Sequence, residues 1–117
     1  MRLVDMYLNH SNEIFEIIIA RSFFSRACGL LFRKKLTYIQ CLLISPCHSI
    51  HTIGMRYNID IVFIDAFGYI TDIHYNVQPF KIVNGSTMAC SAVEFLGGTL
   101  EQFNLKKNDL LFRRLCH

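Results

Sequence analysis

Short runs of β-branched and aromatic residues, set apart by turn residues, organise most of this chain. Phe15-Glu16-Ile17-Ile18-Ile19-Ala20 is short and β-branched, which predicts a strand. Gln40 to Ser45 predicts a second, stopped by Pro46, and Ile59 to Ile64 a third. Asp65-Ala66-Phe67-Gly68 reads as a turn with glycine where φ must be positive, so Tyr69 to Val77 returns as a hairpin partner. Gln78 to Met88, with Pro79 and Asn84-Gly85, reads as a loop, and Ser91 to Leu96 as the next strand. Leu110-Leu111-Phe112 is the last. Two short helices fit between strands. Ser22 caps one that runs to Cys28 and ends at a left-handed Gly29. Thr99-Leu100-Glu101-Gln102 has capping-box spacing and turns Leu100 and Phe103 inward.

These elements predict a β-dominated α+β fold over residues 1–117. The expectation is a single compact domain with a curled mixed sheet or open barrel and two short helices. Hydrophobic residues make up 52% of the chain and charged ones 18%, so disorder is excluded and little charge remains for the surface. Such a surface leaves room for a homodimer contact. The net charge of +3 comes in short clusters, Arg33-Lys34-Lys35, Lys106-Lys107 and Arg113-Arg114. These read as a solvated rim, without the dense stripe or motif of a nucleic-acid binder, so no nucleic-acid partner is expected. The uncharged run from Leu36 to Met55 has bilayer length but holds Gln40, Pro46, His48 and His51, so no membrane span is expected. The first residues show no apolar stretch of signal-peptide length, which predicts a cytoplasmic protein. Five cysteines without a C-x-x-C pair predict reduced thiols, with Cys28 and Cys41 buried.

Polar chemistry gathers in Pro46-Cys47-His48-Ser49-Ile50-His51-Thr52-Ile53-Gly54-Met55, and Asp60 follows on an apolar strand face beside Val62 and Ile64. A carboxylate there needs a partner, and His51 is the first choice, with Arg26 and Arg56 next. The main functional reading is a small binding or accessory module. Its polar pocket lies around His51 and Asp60, with Arg26, Ser49, Thr52 and Met55 beside them, and takes a small-molecule or peptide ligand. The alternative is an enzyme built on Cys47 and His51. It would work through a Cys47 nucleophile with His51 as base and Asp60 as orienter, or through a soft metal such as copper(I) or zinc held by Cys47, His48, His51 and Met55. A plainer reading has His51 and Asp60 lock the loop to the sheet and do nothing else. No motif calls for a cofactor.

Arg26-Ala27-Cys28-Gly29-Leu30-Leu31, then Ser49-Ile50-His51-Thr52 with Met55 and Ile59-Asp60, resembles the domain-of-unknown-function 192 family. Val93-Glu94-Phe95-Leu96-Gly97-Gly98-Thr99 and Leu105-Lys106-Lys107-Asn108-Asp109 extend the likeness over about residues 16–112. Leu31 replaces that family's methionine, Asn58 and Leu96 stand where it has proline, and Asn108 where it has glycine. Asparagine still tolerates a left-handed backbone. The resemblance implies a mostly β fold and no particular reaction.

Overall fold

The computed structural model describes residues 2–8, 11–20 and 35–111, with side-chain surroundings from residue 13 onward. Eight strands form in chain order: β1 (Arg2–Leu8), β2 (Ser11–Ala20), β3 (Gln40–Ile44), β4 (Ser49–His51), β5 (Ile59–Ile64), β6 (Ile70–Val77), β7 (Ile82–Asn84) and β8 (Ser91–Leu96). Six make one open mixed sheet in the order β1-β2-β3-β8-β5-β6, while β4 and β7 form a separate two-stranded ribbon. Only the β2–β3 pairing is parallel among the described strands. A parallel neighbour requires a long connection, and nineteen residues separate Ala20 from Gln40 in the sequence.

Strands β3, β8 and β5 occupy the middle of the sheet, and β5 is buried along its full length. Such strands read as continuous apolar runs because both faces are covered. One face carries Phe15, Ile17, Cys41, Leu43, Val62, Ile64, Val93 and Phe95, joined by Leu100, Leu105 and Leu111. The Phe15 and Phe95 rings meet edge to face at 5.4 Å. The other face carries Leu42, Ile44, Ile59, Ile61, Phe63 and Ala92, and the β4–β7 ribbon covers part of it with Ile50 and Val83. Cys41 is fully buried, as its strand position predicts, and burial pushes its thiol far above the ordinary range. A bulky maleimide should therefore leave Cys41 unmodified in the native protein while labelling the half-buried Cys47 and Cys90. Native labelling of Cys41 at their rate would show that β3 presents the wrong face.

The β5–β6 turn forms as expected. Asp65 Oδ1 accepts from the amides of Phe67 (2.9 Å) and Tyr69 (3.0 Å), and Gly68 sits at φ 92°. Asn108 adopts a left-handed backbone at φ 74°. Leu110 makes only an isolated bridge to Tyr69, not a full strand.

Two expectations are corrected among the described residues. The N-terminal strand β1 and the short β4 and β7 were not anticipated, because charged or polar residues break their apolar pattern. The capping-box helix reduces to a 3₁₀ turn, Glu101–Phe103, with Leu100 at its start and no side-chain cap. Gln102 Nε2 donates to the Thr99 carbonyl at 3.2 Å instead of reaching the Thr99 amide. The second of the two predicted short helices is thus not found as an α-helix. The Ser22–Cys28 helix and its Gly29 end lie outside the described residues.

Two adjacent glycines near β8 differ in kind. A Cβ on Gly97 would stand 2.7 Å from the Asn58 carbonyl oxygen, whereas one on Gly98 would meet open space but at φ 91°. Gly97→Ala must displace backbone and should cost close to 3 kcal/mol, the upper part of the overpacking range of about 1–3 kcal/mol. Gly98→Ala pays only for its dihedral, about 1 kcal/mol. Urea denaturation of the two variants checks this order, and an equal loss would contradict it.

Candidate functional site

The residues singled out by sequence fall into an anchor, a clamp and an outward face. Asp60 is the anchor. It lies on β5 opposite Phe95 of β8 and is 1% exposed. Its Oδ1 accepts from the Asn76 amide at 2.8 Å and more loosely from the Gly98 amide at 3.4 Å. Its Oδ2 accepts from the Leu100 amide at 2.9 Å. Asp60 therefore is buried and held, as predicted, but its partners are backbone amides and not His51. The Asp60 carboxylate thus holds the backbone that leads into the Glu101–Phe103 turn, a charge-assisted contact from a distant strand.

Thr52 is the clamp, also 1% exposed. Its Oγ1 donates to the Gln78 carbonyl at 2.7 Å and accepts from the Lys81 amide at 2.9 Å. Its own amide donates to the Lys81 carbonyl, and its carbonyl accepts from the Phe80 amide at 3.0 Å. Phe80 is thereby held at φ 64°, a region that a bulky residue rarely enters, with its ring 71% exposed. Met55 is buried in the core cluster under the ribbon.

The ribbon presents the face. Ile50 and Val83 are cross-strand partners turned toward the core, so Ser49, His51, Ile82 and Asn84 alternate outward. His51 pairs with Ile82, and Ile53 and Phe80 stand on the adjoining turns. Ile82 is 65% and Ile53 50% exposed. Arg26 lies outside the described residues.

A second polar group was missed by sequence reasoning. Glu94, 2% exposed, sits in the middle of β8 opposite Leu42 and Ile61. Its charge reaches both Cys47 and Tyr57. Burial raises the Cys47 thiol above its ordinary value, a contact from the Ser49 backbone opposes this, and Glu94 adds to the rise. The thiol also donates to the Ser49 carbonyl at 3.3 Å. Tyr57 is raised by burial and by Glu94, against an opposing Leu36 backbone contact. Both environments favour the neutral form. An isolated charged residue inside an apolar strand was the only signal of this group in the sequence.

At the sheet edge, partial burial alone would raise the Asp72 carboxyl. The Ser86 amide, the Thr71 hydroxyl and the charges of His74 and Lys107 outweigh that and hold it below its ordinary value. A depressed carboxyl stabilises the fold above its unfolded pKa, and this contribution disappears as pH falls through the lower folded value. Asp72→Asn should therefore flatten the acid limb of stability against pH below about 4 while leaving its shape at neutral pH unchanged. An acid limb identical to that of the parent would contradict this.

The family profile DUF192, described as "Uncharacterized ACR", matches residues 6–112. No curated protein matches the chain. A protein of unknown function from Novosphingobium aromaticivorans superposes with a TM-score of 0.82 at 19% identity, over 93% of this chain and 82% of that one. A Sinorhizobium meliloti protein described as a "putative transcription regulator" gives the same TM-score and identity, over 93% and 90%. At that identity the likeness establishes the fold alone. The match over nearly the whole length places this chain in the DUF192 family.

Proposed function

We propose that this protein is a small binding or accessory module whose contact surface is the outward face of the β4–β7 ribbon, centred on His51. The single observation behind this reading is the Thr52 clamp. Four hydrogen bonds around one buried threonine hold a strained, exposed Phe80 beside His51. Backbone strain of this kind persists only where surrounding structure enforces it, and it clusters at binding sites. Ser49 and His51 offer polar contacts, Thr52 and Met55 position the ribbon, and Asp60 holds the sheet edge behind it. This replaces a pocket shared by His51 and Asp60 with an exposed face for a peptide, a small molecule or another surface.

The enzyme reading finds less support. Burial and the Glu94 charge raise the Cys47 thiol, which disfavours the thiolate a nucleophile needs. Among the described residues, no three His, Cys, Asp or Glu side chains gather as a metal site would require.

A photocrosslinking residue placed at His51 tests the proposal in cells that make the protein, with Tyr75, exposed on β6, as the control position. Discrete adducts from position 51 and none from position 75 are expected, read by intact mass. No adduct from position 51, or the same adducts from both, would overturn the proposal.

A further inference from the structure

We infer that the face around His51 docks on an anionic bilayer surface, with Phe80 and Ile53 as its inserting side chains. The inference rests on reading this face as the contact surface. Three large apolar residues, Ile53, Phe80 and Ile82, are exposed on two segments that backbone hydrogen bonds join at Thr52, and exposed apolar surface of this kind marks an interaction site. Arg56 and Lys81, both exposed, accompany them. Neither segment that builds the face, Ser45 to Asn58 or Val77 to Cys90, contains an Asp or Glu. The charge that complements this surface is negative.

The placement of the apolar side chains favours a membrane over an acidic peptide. Ile53 and Phe80 sit on adjoining turns and protrude, half or more of each side chain being exposed. Protruding tips suit insertion among headgroups, where an aromatic ring beside basic residues is at home. The basic residues add attraction to anionic lipid that fades with salt over about 8–10 Å of screening length. No crossing of the bilayer is implied: no helix among the described residues is long and apolar enough for one.

Sedimentation of the full chain with vesicles provides the test. Binding is expected to phosphatidylcholine vesicles containing phosphatidylglycerol, to fall steeply at high salt, and to be absent with phosphatidylcholine alone. Phe80→Asn keeps a residue that tolerates the left-handed backbone and should weaken binding several-fold. Arg56→Glu with Lys81→Glu should weaken it by about tenfold or more. Phe67→Asn, at an exposed turn outside this face, should change nothing. Absence of binding to the anionic vesicles, or binding unaffected by Phe80→Asn, would overturn the inference. So would binding of an acidic leucine-glutamate peptide in place of vesicles, or self-association through this face. Adducts from position 51 without vesicle binding would overturn the bilayer alone; no adducts would remove the contact face itself.

Discussion

Asp60→Ala should lower the stability of this domain by about 3–5 kcal/mol, the largest effect expected of any single substitution considered. A hydrogen bond to a charged acceptor contributes about 1.5–3 kcal/mol, and Asp60 makes two short ones, from Asn76 and Leu100. Removing the carboxylate leaves the Leu100 amide unpaired in a buried site and the Asn76 amide unpaired at its partly buried rim. It also frees the Gly98–Leu100 turn, whose backbone has no side-chain cap of its own. Domains of this size have only about 5–15 kcal/mol in total, so the variant should be close to unfolding at moderate temperature. Asp60→Asn retains one acceptor but aims an NH₂ group at the other amide, so it should lose about half as much. The midpoints of urea unfolding measure both. A loss below about 1 kcal/mol for the alanine variant would mean that the carboxylate contributes little to the fold.

Thr52→Val should have a local effect. The valine keeps the volume but removes the hydroxyl that joins Gln78, Lys81 and the β4 end. Leaving the Lys81 amide and the Gln78 carbonyl unpaired should cost about 1–3 kcal/mol. The strained Phe80 then has less to hold it at φ 64°, so the turn should relax. Amide exchange at Phe80 and Lys81 should speed up markedly while β5 and β8 remain protected, and Thr52→Ser should restore most of the protection. Uniform acceleration across the sheet, or none at Phe80, would show that Thr52 is not the clamp.

Much of the sheet was legible because its central strands are unambiguous. Ile59 to Ile64 and Ser91 to Leu96 are apolar enough, and the Asp65–Gly68 turn specific enough, to be read residue by residue. The β4–β7 ribbon was not, since strands as short as Ser49–His51 and Ile82–Asn84 leave no periodicity to detect. β1 was obscured by Arg2 and Asp5 within an otherwise apolar run. The burial of Asp60 followed from its apolar strand neighbours Val62 and Ile64. Its partners did not, because amides sixteen to forty residues downstream compete with side chains nearby, and sequence proximity to His51 carries no information about faces. The resemblance drawn from the Ser49–Thr52 and Ile59–Asp60 segments led to the correct family, whose description assigns no activity.

The signature residues divide into a scaffold that contains Asp60 and the proposed contact face that contains His51. A double-mutant cycle between His51→Ala and Asp60→Ala, read by urea unfolding, tests that division most directly. Asp60→Asn can replace the alanine if the latter does not fold. The division predicts that His51→Ala alone is nearly neutral and that the two losses add to within about 0.5 kcal/mol. A coupling of about 1 kcal/mol or more would contradict it, returning His51 and Asp60 to a single interacting site.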